Sequence, residues 1–89
     1  MGKTDIFQTL THFLFEEEMP GFKKENIKVS IKGSQLSIKG SEPEIKDGDV
    51  VYRKSKTKDI SFDLPENADI NDIVPTFRDG IMTIKIGKK

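Results

Sequence analysis

His12 is the only histidine in this 89-residue chain, and there is no cysteine. A zinc or other transition-metal centre needs several such ligands at fixed spacing, so His12 reads as a half-exposed strand residue. The run Asn67-Ala68-Asp69-Ile70-Asn71-Asp72 begins like a calcium loop. It has Asp72 at the sixth position, where a sharp turn needs glycine, and Arg78 at the twelfth, where a bidentate glutamate is needed. Serines are frequent, but one histidine and no strand-turn-helix nucleophile motif leave none of them activated. Neither glycine of "SIKGSQLSIKGS" starts a G-x-x-x-x-G-K-[ST] phosphate loop. The carboxylates Glu16-Glu17-Glu18 remain. On a strand they point to alternate faces, so Glu16 and Glu18 read as solvated. Glu17 shares the parity of Phe13 and Phe15, which places it at the mouth of a core or in a pair. If it is an uncompensated buried carboxyl, valine there should stabilise the fold. These residues predict no catalytic site, no cofactor and no metal; the chain does not read as an enzyme.

The elements that carry these residues are strands. Ile27, Val29 and Ile31 alternate with Lys28, Ser30 and Lys32; after Gly33-Ser34-Gln35, Leu36 and Ile38 alternate with Ser37 and Lys39. Period two means one buried face, and two such runs around a Gly-containing link mean a hairpin. The repeated SIKGS is therefore two similar strands. Upstream, "THFLFEEEMPGF" is a strand ending in a type II turn at Pro20-Gly21, with Asp5–Thr9 a short strand before it. Residues 42–58 read as a long charged loop holding one small strand at Val50-Val51-Tyr52. Ile60, Phe62 and Leu64 alternate up to Pro65. "PENADIND" is turn-like, "IVPTF" is a strand that tolerates Pro75 only if it is an edge or starts there, and Asp79-Gly80 joins it to "IMTIKI" in a tight hairpin.

No segment has a helical period. The pattern predicts an all-β fold, an antiparallel immunoglobulin-like β-sandwich of about seven to eight strands in a single domain over residues 1–89. Its core is expected to be Phe13, Phe15, Ile27, Val29, Ile31, Leu36, Ile38, Phe62, Leu64, Phe77, Met82, Ile84 and Ile86. Fifteen acidic and fifteen basic residues balance, which argues against a dedicated nucleic-acid binder. No apolar run approaches the ~20 residues of a membrane span. The start MGKTDI shows neither a signal-peptide core nor a myristoylation signal, Ile6 standing where Ser or Thr is required. A cytoplasmic location, with no membrane and no nucleic-acid partner, is the expectation.

Taken together, "EMPGFKKENIKVSIKGSQLSIKG", "FDLPENADI" and "FRDGIMTIKI" resemble the α-crystallin domain of small heat-shock proteins. The pieces occur in the family's order and at its spacing, over residues 5–87, and "DIFQT" is similar to the family's short first strand. The resemblance implies an ATP-independent molecular chaperone core that holds non-native client proteins and forms dimeric building blocks. It also implies a groove that takes an Ile-x-Ile tail from another subunit, lined here by Ile27, Val29, Ile31, Val74 and Phe77. A dimer interface is implied in which Val50, Val51, Tyr52 and Arg53 of one chain pair with the strand of Ile6 and Phe7 in another. The chain departs from the family in showing no N-terminal arm and no C-terminal Ile-x-Ile tail, since Ile84-Lys85-Ile86 falls inside the last strand. It also has Lys58, Ile60 and Phe62 where the family has Phe-x-Arg-x-Phe. The alternative is a CS-type co-chaperone domain, a similar sandwich without the small strand at Val50–Tyr52, which docks on a large ATP-driven chaperone.

Overall fold

Alternation places the apolar residues of each strand on one face, and the strand register brings those faces together. The computed structural model describes residues 4–89. Nine strands lie among them: β1 (Thr4–Gln8), β2 (His12–Glu18), β3 (Ile27–Lys32), β4 (Gln35–Glu42), β5 (Ile45–Asp47), β6 (Val50–Arg53), β7 (Lys56–Asp63), β8 (Ala68–Arg78) and β9 (Ile81–Lys88). A single 3-10 turn, Lys24–Asn26, leads into β3. One antiparallel sheet has the order β1-β2-β9-β8, and the second has the order β3-β4-β7. β5 and β6 form a separate two-stranded hairpin.

Across the first sheet Phe13 faces Ile86, and Phe15 faces Ile84. Across the second, Ile38 lies between Val29 and Ile60. The two faces enclose Phe13, Phe15, Met19, Leu36, Ile38, Leu64, Ala68, Met82, Ile84 and Ile86. Ile27, Val29, Ile31, Phe62 and Phe77 are half-buried against them, as are Phe22 and Ile73. Ile84 and Ile86 are fully buried in β9, so Ile84-Lys85-Ile86 is core strand and not a tail motif.

The two look-alike glycines do different jobs. Gly33 has φ +62° and turns the hairpin. A Cβ on Gly40 would sit 2.8 Å from the Met19 Cε and from the Phe22 ring. Gly40 thus leaves the hollow into which Met19 and Phe22 fold from either side of the Pro20-Gly21 turn. That turn closes by the Phe22 N–H donating to the Met19 carbonyl at 3.3 Å, and the Met19 N–H donates to the Gly80 carbonyl at 2.7 Å. Between β8 and β9, Asp79 and Gly80 have φ of 53° and 77°, the pair of positive angles that a two-residue hairpin with native twist requires.

Two readings of the sequence need correction. Residues 42–58 are not a loop with one strand: Ile45–Asp47 pairs with Val50–Arg53 across a register shift after Ile45, and β7 already begins at Lys56. Nor is "ADIND" a turn. β8 runs eleven residues from Ala68, with an irregular stretch between Ala68 and Ile73. The hairpin stands away from the body. The Cα radius of gyration is 15.1 Å, against about 12 Å for a compact domain of this length, and the longest extent is 53 Å.

Candidate functional site

Each sheet ends in strands with one unpaired side. β3 and β8 are edges of the two sheets. Pro75 lies in β8 opposite Ile84. Proline has no N–H to donate and is tolerated where the missing donor faces outward. Residues of that parity, Ile73, Pro75 and Phe77, therefore direct their backbone groups to the free edge. From β3, Ile27, Val29 and Ile31 turn inward and stay half-buried; from β8, Ile73 and Phe77 do the same. They are half-buried because no further strand covers them.

Val74 does not belong to this row. It pairs with the exposed Lys85, whereas its neighbours Ile73 and Phe77 pair with the buried Ile86 and Met82. Val74 is exposed on the outer face, and Ile73 takes the inward position. The expectation failed because Val74 and Phe77 are three apart, and in a strand only even spacings share a face.

β1 is the other edge of the four-stranded sheet, and its Ile6 and Phe7 are exposed. Phe7 faces Leu14 and Ile6 faces Phe15, so the two stand on opposite faces. Beside them is a cavity of about 210 Å³ lined by Ile6, Phe7, Gln8, Phe13, Phe15, Asp63 and Pro65. Val50, Val51 and Tyr52 are exposed on β6, Tyr52 by 68%.

Arg53 has a different place from its neighbours. Its guanidinium turns back to its own body, donating to the Pro43 carbonyl at 2.7 Å and to Glu42 Oε1 at 3.3 Å; its Nε has no hydrogen-bond partner. Glu42 is 1% exposed. Its Oε2 accepts the Lys23 N–H at 2.8 Å and the Asn26 Nδ2 at 2.9 Å. One buried carboxylate thereby joins the base of the hairpin to the turn that leads into β3. No motif announced it, because its partners lie 11 to 19 residues away in the chain.

The Lys23 N–H first, and the Asn26 amide next, hold the Glu42 carboxyl below its ordinary 4.5; the Arg53 and Lys23 charges add to this, and burial opposes it. A lowered pKa in the folded state means stability that is fully present above 4.5 and lost as pH falls through the depressed value. The difference in unfolding midpoint between the parent and Glu42→Gln should therefore be constant above about pH 5.5 and shrink below about pH 4.5. A difference that stays constant down to about pH 3 would show that Glu42 does not titrate differently on folding.

Glu17 is 2% exposed and meets the Lys58 Nζ at 2.8 Å. Of the two placements open to it, the paired one holds. Lys58 also donates to the Glu18 carbonyl, and Lys56 to the Pro20 carbonyl at 3.0 Å. The start of β7 is thus tied to the end of β2, across the two sheets. Among the described residues no group of three or more His, Asp or Glu is placed to hold a metal ion, and no helix is long and apolar enough to cross a membrane.

Residues 5–89 match the Hsp20/alpha crystallin family. The chain belongs to that family. It is similar to small heat shock protein C4 of Rickettsia felis, 35% identical over 94 residues that cover 98% of this chain and 56% of that protein. The 17.5 kDa class I heat shock protein of Glycine max is 28% identical over 93 residues, covering 98% of this chain and 60% of that protein. Among solved structures, Stress-induced protein 1 from Caenorhabditis elegans superposes with a TM-score of 0.82 at 27% identity, over 94% of this chain and 61% of that one. The chain spans 56–61% of the length of these relatives. The strand Val50–Arg53, which the co-chaperone alternative lacks, is present.

Proposed function

We propose that this domain is the core of an ATP-independent chaperone that holds non-native chains and other extended segments at its open sheet edges. The supporting observation is the pair of edges β3 and β8, whose half-buried Ile27, Val29, Ile31, Ile73 and Phe77 lie uncovered between the sheets. An extended segment gains backbone hydrogen bonds at such an edge and places alternate side chains in the space between the sheets. Two isoleucines buried there would contribute on the order of 3–6 kcal/mol before ordering costs. Each contact is then micromolar or looser, and useful when many act together. Membership of a chaperone family agrees with a passive role that needs no catalytic residue.

The same reading gives the exposed β6 a partner: β1 of a second copy, with Val50, Val51 and Tyr52 of the hairpin covering Ile6 and Phe7. Arg53 then serves as the intramolecular anchor of the hairpin.

An Ile-x-Ile peptide titrated into isotopically labelled protein should shift the amides of residues 27–32 and 73–77. Shifts confined elsewhere, or none at millimolar peptide, would remove this groove as the functional site. Suppression of aggregation of a heated client without nucleotide tests the holding activity itself.

A further inference from the structure

The β8 side of the groove carries unbalanced charge at one end. A cavity of about 540 Å³ wraps the edge of β8 there, lined by Lys24, Pro75, Thr76, Phe77, Arg78 and Thr83. Lys24, from the turn leading into β3, thus stands beside the last residues of β8, and β3 and β8 run in opposite directions along the groove. Lys24 and Arg78 are both exposed, and neither forms an ion pair among the described residues. None of the acidic groups nearest in the fold is within ion-pair distance of them. Glu18 shares the cross-strand row of Arg78 but lies two strands away, beyond Ile81, at about 10 Å. Asp79 belongs to the turn after Arg78, and Glu25 lines a different cavity with Lys28 and Lys39. The opposite end carries one charge of each sign, Lys32 closing β3 and Asp72 preceding Ile73.

We propose that this end selects an acidic side chain: the preferred occupant is an extended segment of another chain with two apolar residues two apart and an Asp or Glu next to the one that lies against Phe77. This rests on the groove reading given above. The apolar pair supplies the burial, and the carboxylate between Lys24 and Arg78 fixes the direction in which the segment lies. A segment laid the other way would bring its carboxylate to the end that carries one charge of each sign, with no pair of cations to meet it. The geometry thus supplies polarity, which an apolar groove alone does not.

Three capped peptides decide the matter: Ser-Ile-Thr-Ile-Ser, and the same peptide with Glu replacing either the first or the last Ser. Each is titrated into the labelled protein at low salt and at high salt. At least one acidic peptide should bind about two- to fivefold more tightly than the neutral one at low salt, and the advantage should fall at about 0.5 M salt. In the Lys24→Gln/Arg78→Gln variant, which replaces two exposed side chains, acidic and neutral peptides should bind alike. Equal affinity of all three peptides for the parent, or an advantage that survives in the variant, overturns the proposal while leaving the groove in place. If the neutral peptide fails to move residues 27–32 and 73–77 at all, the groove reading fails first and takes this one with it.

Discussion

Replacing residues 46–52 with a Gly-Asn-Gly link should abolish, in sedimentation, the self-association proposed for β6 and β1 of a second copy. The link removes the tip of the hairpin but keeps Arg53 on Glu42, so the body retains its buried ion pair. The loss of association then reports on β6 itself. Val50, Val51, Tyr52, Ile6 and Phe7 are exposed in one copy. Burying half of each, twice over in a two-fold pair, contributes on the order of 8–15 kcal/mol. That is comparable with the rigid-body cost of association, so a dimer formed through β6 and β1 should dissociate on dilution. A variant that stays dimeric would rule out the exchange of β6, and so would a parent chain that is still monomeric at about 1 mM.

Glu17→Val should destabilise the domain by about 1–3 kcal/mol, the opposite of what an unpartnered carboxyl predicts. Breaking a buried ion pair leaves the other charge uncompensated. Lys58 is 19% exposed and reaches water in part, which holds the cost below that of a fully enclosed lysine. The double variant Glu17→Val/Lys58→Met should return to within about 1 kcal/mol of the parent, because two apolar side chains of similar size replace the pair without stranding a charge. Urea unfolding of all three proteins measures this. A valine variant with a midpoint at or above the parent's would mean that Lys58 contributes nothing at this position.

The sandwich was legible in the sequence because burial here follows parity. Phe13, Phe15, Ile27, Val29, Ile31, Leu36 and Ile38 each sit one residue from a polar neighbour, and every one faces inward. β5 was not legible: Ile45-Lys46-Asp47 has one apolar residue and pairs only with its own hairpin partner, so no core face marks it. Met19 was missed because its burial comes from the Pro20-Gly21 turn and the hollow at Gly40, not from a strand pattern. At the candidate site Pro75 is the one residue whose type signals an edge, that of β8. The exchange of Ile73 for Val74 could have been read from spacing alone. The Glu42 cluster and the Glu17–Lys58 pair could not. They depend on which turn lies over which strand, and single-sequence alternation carries no information about contacts 11 to 41 residues apart.

The order β1-β2-β9-β8 has a consequence for how the protein is made. β9 is an interior strand of its sheet, yet it follows all the other strands in the chain. Phe13 and Phe15 meet Ile86 and Ile84 some 70 residues later, whereas β3, β4 and β7 pair within a span of 37 residues, 27–63. During synthesis all the residues of the three-stranded sheet are made before those of β9. Until β9 pairs, β2 can have only β1 beside it, and the faces of Phe13 and Phe15 that meet Ile86 and Ile84 stay uncovered. Closing so long a loop is a slow step, so the nascent chain spends that interval with the kind of apolar strand on display that the finished domain is proposed to hold in others.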